Sequence, residues 1–344
     1  MMNKMELAAG KQPNGALFDR VAQLIEQTRA GVAVQANAAL TLVNWEIGRL
    51  IDVEVLQQER GDYAKEIVST LSRQLTVKYG RGFTRPTLYR MAQFYQVFPD
   101  PKIVATLSRQ LSWSHLKEIL PMRSAEARAF YIDQAISARL SVRALRELIG
   151  RQGFERKEIA NAQSLGGSVV PADTFRDPYF LDFLGLKDAY EEKDLEEAII
   201  REMEPFLLEV GYGWAFVERQ KRMMIGNEDF HLDLLFYSRP LHRLVAVELK
   251  IGRFKASYEG QMKLYLKWLD KYERHDGEEA PVGLILCTEA SREQIELLEM
   301  HKDGIVVAEY WTALPSKDEL QARIREIYDA AAEKVARRAI EERE

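Results

Sequence analysis

Two acidic residues and one lysine occur where two predicted β-strands would bury their side chains. Asp233 lies in the apolar run 230–237, and Glu248 and Lys250 lie in the next such run, 244–250. Both runs have strand length and contain β-branched and aromatic residues, so together they predict a hairpin. Side chains alternate between faces of a strand, which puts Glu248 and Lys250 on one face. Two carboxylates and an ammonium that converge in this way can hold a divalent metal beside a proton-transfer group. A purely structural cross-strand pair is the alternative.

Polar residues on two predicted helices are the next candidates. Gln261 and Tyr265 are four residues apart in the amphipathic pattern of 258–269, so they share a helix face. A solvated glutamine beside a core tyrosine is the alternative. Upstream, Glu196 lies on the apolar stripe of a helix that is predicted to open at Asp194. An acid on a buried stripe needs a partner or a metal.

The order of these elements resembles the PD-(D/E)xK nuclease superfamily. It runs from a helix with Glu196, through one strand, to strands with Asp233 and Glu-x-Lys and a helix with Gln-x-x-x-Tyr. Leu232 takes the place of the proline in the superfamily's name. The chain is more similar to one member, the YhcG-like bacterial family, and the resemblance covers nearly the whole chain. The segments that carry it are Asn44–Gly48, Tyr79–Phe83, Leu111–His115, Phe216–Gln220, Leu232–Tyr237, Val247–Lys250, Gly260–Met262 and Gly283–Cys287.

The resemblance implies a restriction-endonuclease-like α/β sandwich with a mixed central sheet in the second half. The first half has helical patterns throughout, so the predicted fold class is α+β overall with an all-α N-terminal domain. We expect a helical, nucleic-acid-binding domain at residues 1–150 and a nuclease-like domain with a charged C-terminal helix at 174–344. A polar stretch followed by the Gly- and Ser-rich residues 164–168 predicts a linker at 151–173.

The resemblance also implies metal-dependent hydrolysis of phosphodiester bonds. Asp233 and Glu248 would bind Mg²⁺, with Mn²⁺ as an alternative, and the Leu249 carbonyl would be a third ligand. Such a site suits a hard cation that prefers oxygen. Lys250 would either act on the attacking water as a base or stabilise the developing charge. The sequence does not choose between these two roles.

Five further residues complete the expected active site. Glu196 would bind a second metal or tune the first. Gln261 would hold the water or the scissile strand, with Tyr265 behind it. Arg219 and Gln220 come at the end of an earlier predicted strand, and we expect them to contact a phosphate.

The helical half has the outline of a helix-turn-helix. A helix is predicted to end at the glycine turn 80–82, Thr84 is placed to cap the next helix, and that helix covers 87–97. The second helix of such a unit can enter a DNA major groove, although many helical bundles share the outline. The candidate nucleic-acid-binding residues are Arg81 in the turn and the residues expected to be exposed on the second helix, Arg85, Tyr89, Arg90 and Gln93.

Charge is distributed unevenly along the chain. The net charge is −5, but Lys and Arg outnumber Asp and Glu in residues 1–150 and the reverse holds afterwards. No acidic residue occurs between Glu66 and Asp100. Such a basic block is a plausible footprint for a phosphate backbone. A solvated helix face is the alternative.

Composition narrows the class of protein. The chain has 344 residues and one cysteine, Cys287, which excludes an internal disulfide and a multi-cysteine zinc site. We find neither a bilayer-length apolar stretch nor a signal core, so we expect a cytoplasmic protein without a membrane partner. The expected partner is DNA, and a homodimer is one option. The rival hypotheses are a catalytically silent DNA-binding module and an assembly subunit of a larger defence or repair complex.

Overall fold

The computed structural model describes residues 13–57, 62–163, 167–186, 190–210 and 213–341. The chain divides into two compact units, residues 1–136 and 137–344. No helix within the described ranges is both long enough and apolar enough to cross a membrane.

The described part of the first unit consists of helices joined by turns. They are α1 (Pro13–Ile51), α2 (Asp62–Tyr79), α3 (Arg85–Val97), α4 (Pro101–Gln110), α5 (Trp113–Ile119) and α6 (Ala125–Ser137). Two short helical turns, Asp52–Leu56 and Arg81–Phe83, follow α1 and α2. Val68, Leu88 and Met91 are buried in the core of this unit. The prediction of a helical first half is therefore confirmed.

Two glycines decide how these helices meet. Gly80 ends α2 with a positive φ of 91°, a conformation that glycine adopts without strain. Gly48 lets α1 approach α3, because a Cβ at this position would lie 1.9 Å from the Met91 carbonyl oxygen. The sequence predicts two helices at 18–29 and 32–58, but the structure has one continuous helix, α1, that passes through Gly31.

The second unit combines six strands with seven helices in its described residues. The strands are β1 (Tyr179–Phe180), β2 (Trp214–Ile225), β3 (Glu228–Ser238), β4 (Arg243–Arg253), β5 (Val282–Glu289) and β6 (Ile305–Trp311). The helices are α7 (Val142–Gly150), α8 (Gly153–Ala162), α9 (Glu192–Arg201), α10 (Met203–Val210), α11 (Ser257–Tyr272), α12 (Arg292–Leu298) and α13 (Lys317–Glu341).

The strands form one mixed sheet in the order β1-β6-β5-β4-β3-β2. Strands β4, β5, β6 and β1 run parallel to one another, whereas β3 pairs antiparallel with both β2 and β4. The β3–β4 pairing runs from Ser238 and Arg243 to Leu234 and Val247, where it ends. The hairpin predicted from the two charged strands is present, and the sheet is mixed as predicted.

Apolar side chains cover both faces of this sheet. On one face, Leu195 and Ile199 of α9 and Phe206 of α10 pack against strand residues that include Val247 and Leu249. On the other face, side chains of α11, among them Met262, pack against strand residues that include Ala246 and Ile285. The result is the α/β sandwich that the sequence predicts. Glu248 lies between Val247 and Leu249, so it faces the α11 side.

Helix α8 lies within the segment for which the sequence predicts a linker. Its Arg156 is fully buried, stacks on the Phe180 ring and forms an ion pair with Glu209 of α10. Helix α13 packs near it, with Leu320 and Ile324 in the same cluster as Phe180. The segment is polar in part because Arg156 is charged, but this charge is buried with a partner. Composition alone does not distinguish a buried charged side chain from a solvated one.

Candidate active site

The end of the β3–β4 ladder creates the centre of the site. Beyond Leu234 and Val247 the two strands separate, and the Asp233 carboxylate takes the place of a backbone partner. The Leu249 N–H donates to Asp233 Oδ2 over 2.8 Å. This bond holds Asp233 against β4 at Leu249, the residue that follows Glu248.

Glu248 and Lys250 form the second part of the site. Glu248 is 4% exposed, and Lys250 Nζ lies 2.9 Å from its Oε1. The second oxygen, Oε2, is buried and has no hydrogen-bond partner. Burial, with the Asp233 carboxylate as the second cause, raises the pKa of Glu248 to about 7. A buried acceptor without a donor is costly, so this oxygen is suited to bind a cation or to accept from a donor.

Lys250 is surrounded by groups that favour its charged form. Besides Glu248, Glu192 Oε2 lies 3.5 Å from Lys250 Nζ, and the Tyr258 ring centre lies 5.6 Å away. Burial alone would lower the pKa of Lys250, but Glu248, Asp233 and Glu192 outweigh it and raise the pKa above its usual range. The side chain is therefore a fixed positive charge beside two carboxylates.

Helix α11 brings its two predicted residues to the same place. Gln261 Nε2 donates to Glu248 Oε1 over 3.3 Å and also to the Tyr265 hydroxyl. Tyr265 Oη in turn donates to the His231 carbonyl on β3 over 3.3 Å. This chain of bonds ties Glu248 to the neighbouring strand.

Glu196 on α9 reaches the site through a glutamine of β2. It is 6% exposed, and its Oε2 accepts a hydrogen bond of 2.6 Å from Gln220 Nε2. The same nitrogen donates to Asp233 Oδ1 over 3.1 Å. Arg219 Nε lies 3.6 Å from the other oxygen of Glu196. Burial raises the pKa of Glu196, and the Gln220 hydrogen bond opposes this shift.

Glu192 is a further residue of the site that the sequence motifs did not single out. Its Oε1 accepts from the Ile251 N–H over 3.2 Å, and its Oε2 is near Lys250, so it braces the end of β4. A signal was available, because Glu192 and Glu196 are four residues apart and so share a face of α9.

The oxygens around Asp233 and Glu248 fit a hard divalent cation. The described residues contain no group of three or more His, Cys, Asp or Glu side chains arranged for a metal. A backbone oxygen beside the two carboxylates could add a third oxygen to the site. In a strand the C=O and N–H of one residue point to the same side, so the Leu249 carbonyl leaves β4 on the side where its N–H meets Asp233. The buried, unpartnered Oε2 of Glu248 is consistent with such an ion.

The predicted nucleic-acid-binding residues of the helical unit differ in how exposed they are. Arg81 and Arg85 are exposed at the turn between α2 and α3. The prediction that the other three are exposed is wrong, because Tyr89 packs on the core while Arg90 and Gln93 contact α5. Arg90 Nη1 donates to the Lys117 carbonyl over 3.2 Å. Gln93 Nε2 donates over 2.8 Å to the carbonyl of Leu120, which follows α5.

The two predicted phosphate contacts on β2 also differ. The Arg219 side chain is 50% exposed, so it can still reach a ligand. Gln220 instead directs its amide nitrogen at Glu196 and Asp233. The sequence places Gln220 at the end of a strand, but it lies inside β2, and a sequence pattern does not show which way its side chain turns.

The mixed sheet is flanked by helices, and paired carboxylates lie where two antiparallel strands separate. These features define the fold class, which is the restriction-endonuclease-like α/β sandwich of the PD-(D/E)xK nucleases. Residues 172–325 match the family model of the YhcG PDDEXK nuclease domain, and residues 20–156 match the DUF1016 N-terminal domain. The chain is 31% identical over 343 residues to "Putative nuclease YhcG" of Escherichia coli (strain K12), covering 88% of this chain and 92% of that protein. The chain therefore belongs to the YhcG family of PDDEXK nucleases, which confirms the predicted family and fold class.

Two solved structures are similar to part of the chain. The crystal structure of a repair endonuclease from Pyrococcus abyssi is 23% identical, with a TM-score of 0.26, over 38% of this chain and 50% of that chain. The structure of the EndoMS-dsDNA2 complex is 20% identical, with a TM-score of 0.27, over 38% of this chain and 51% of that chain. The chain thus spans about half the length of these solved structures.

Proposed function

We propose that this protein hydrolyses phosphodiester bonds of DNA with Mg²⁺ bound between Asp233 and Glu248. The observation that carries the proposal is the buried Oε2 of Glu248, which has no hydrogen-bond partner although it lies beside a second carboxylate. Digestion of labelled duplex, single-stranded and branched DNA and of RNA, with Mg²⁺ or with EDTA, tests it. We expect DNA to be cut only with the metal. A strict preference for RNA would contradict the proposal that DNA is the substrate.

Three groups of the chain would hold the cation. They are the Asp233 carboxylate, Glu248 Oε2 and the Leu249 carbonyl, all oxygen ligands of the kind that Mg²⁺ prefers. Mn²⁺ takes similar ligands and can replace it. When bound, such an ion lowers the pKa of a water and neutralises charge on the phosphate. Asp233 is already oriented for this by the Leu249 N–H.

Lys250 would stabilise the negative charge that develops on the phosphate. Its ammonium lies between Glu248 and Glu192, with the Tyr258 ring nearby, and this setting favours a retained charge. Of the two roles left open by the sequence, we therefore favour charge stabilisation over proton abstraction. A fixed charge at the reacting group is among the larger contributions to catalysis.

Gln261 would orient the attacking water. Its amide N–H groups donate to Glu248 and Tyr265, so its amide oxygen is the atom we propose accepts from the water. Tyr265 would keep this amide in place through its own bond to the His231 carbonyl. The hydrogen bonds of Tyr265 to Gln261 and to the His231 carbonyl support this proposal.

The helical unit would bind the DNA backbone through the turn between α2 and α3. The exposed basic residues are Arg81 and Arg85 in or next to this turn and Arg73 and Lys78 on α2 before it. No acidic residue occurs between Glu66 and Asp100. Tyr79 is 60% exposed beside them and can contact a sugar or a base. Phosphate neutralisation supplies most of the affinity of sequence-independent DNA binding.

Replacing Arg81 and Arg85 with alanine is expected to weaken DNA binding. Each lost phosphate contact should reduce the slope of log K against log salt by about 1. Fluorescence anisotropy with labelled duplex at several salt concentrations measures this slope. Arg109→Ala is the matched control, because Arg109 is exposed on α4 and lies outside the acid-free interval between Glu66 and Asp100. An unchanged slope in the double variant would contradict the proposed surface.

We also propose that the protein is a homodimer through α1. Leu24, Val32 and Leu40 are 63%, 60% and 63% exposed along this helix. Residues 30–45 contain no charged residue, so a matching surface must also be apolar and uncharged. The same helix of a second copy supplies such a surface, and a two-fold axis makes it self-complementary.

A charge introduced on α1 is expected to separate the dimer. Val32→Lys places an ammonium in the proposed interface, where it would lose its hydration. Sedimentation equilibrium should give the mass of two chains for the wild type and of one chain for the variant. Val77→Lys is the matched control, since Val77 is 85% exposed on α2. A wild type with the mass of a single chain would contradict the proposed homodimer.

A further inference from the structure

Gln220 has an unusual backbone for a residue inside a strand. Its φ is 48°, in the left-handed region that residues other than glycine rarely adopt. The pairing of Arg219 with Leu234 and of Lys221 with Leu232 places Gln220 directly across from Asp233. A strained residue at such a position persists only when the surrounding contacts hold it there.

Those contacts involve two acidic residues. Gln220 Nε2 donates to Glu196 Oε2 over 2.6 Å and to Asp233 Oδ1 over 3.1 Å. A primary amide nitrogen carries two N–H groups, so both are used on carboxylates. The bond at Oδ1 complements the bond from the Leu249 N–H to Oδ2, and the two together fix the plane of the Asp233 carboxylate.

We propose that Gln220 is a positioning residue that orients Asp233 for the cation by tying it to Glu196. Glu196 then acts on the site through Gln220, as an anchor for the amide, and is not itself a ligand. This inference rests on the proposed function, because it needs a cation at Asp233 and Glu248.

The chemistry of an amide suits this task. A lysine or arginine between the two carboxylates would neutralise charge that the cation needs, and a third carboxylate would repel both. A glutamine donates two hydrogen bonds and adds no net charge. Groups that orient metal ligands in this way typically contribute a factor of 10 to 100 in metal affinity.

Glu196 as an anchor differs from Glu196 as a direct ligand. An anchor needs only an oxygen that accepts from Gln220, which a glutamine side chain also has. A ligand needs the negative charge. The isosteric change Glu196→Gln therefore separates the two roles, and Glu196→Met removes the acceptor altogether.

Mn²⁺ affinity measured by electron paramagnetic resonance, on the full chain without DNA, tests the inference. We expect Gln220→Met and Glu196→Met each to weaken Mn²⁺ binding by about tenfold or more. The double variant should be no weaker than either single variant, because both remove the same link. Glu196→Gln should bind close to the wild type. Melting temperatures in EDTA check that each variant folds, and Glu196→Met tests the link from α9 should Gln220→Met fail to fold.

Four results would overturn the inference. Gln220→Met with wild-type Mn²⁺ affinity would show that the amide orients nothing. Glu196→Gln as weak as Glu196→Met, or additive effects in the double variant, would make Glu196 a ligand in its own right. A wild type that binds no Mn²⁺ would overturn the proposed function as well, so the two failures are distinguishable.

Discussion

Asp233→Asn is expected to cut DNA at less than about one-hundredth of the wild-type rate with Mg²⁺. The substitution keeps the shape of the side chain and an oxygen for the Leu249 N–H, but it removes the charge that would hold the cation. Residues that only orient metal ligands already contribute a factor of 10 to 100, so a ligand should contribute more. Initial rates on a labelled duplex at saturating Mg²⁺ provide the measurement.

The matched control for this change lies on the same strand. Asp229 is exposed on β3 and pairs with Arg222, away from Glu248. Asp229→Asn should cut DNA as the wild type does. Equal loss in both variants would point to damage of the strand, and full activity in Asp233→Asn would remove Asp233 from the reaction.

Lys250→Met is expected to lower kcat by about 10²–10³-fold, the range found when a group that stabilises transition-state charge is removed. Methionine keeps an unbranched side chain of similar length and lacks the ammonium. Because the ammonium would act on charge that develops during the reaction, kcat should fall while KM changes little. Steady-state kinetics on the same duplex separate these constants.

Lys263→Met serves as the control for Lys250. Lys263 lies on α11 and pairs with Glu259 and Asp303, so it also loses two ion pairs when replaced. Its kcat should remain that of the wild type. A rise in KM alone for Lys250→Met would show that Lys250 binds substrate without stabilising the transition state.

The hairpin and its charged pair could be predicted because strand periodicity leaves few choices. Two apolar runs in succession, each with an acid, align Asp233 with Glu248 once a tight hairpin joins them. The helix that carries Gln261 and Tyr265 followed from four-residue spacing. These signals are local, and the structure keeps the residues together as the spacing predicts.

Other parts of the site depend on contacts that no local pattern contains. Gln220 turns toward Glu196 and Asp233 because its backbone has a positive φ, which the sequence does not reveal. The ammonium of Lys250 meets Glu192 across more than fifty residues of chain. An amphipathic pattern identified the polar side of α3 but not that Arg90 and Gln93 bond to the carbonyls of Lys117 and Leu120.

The position of a bound ion tests the central claim most directly. Crystals of the protein soaked in Mn²⁺ give an anomalous signal that locates the metal without reference to any assumed site. We predict one peak between Asp233 and Glu248, with the Leu249 carbonyl among its ligands. A peak elsewhere, or none in a protein that still cuts DNA with Mn²⁺, would contradict a metal held by these two carboxylates.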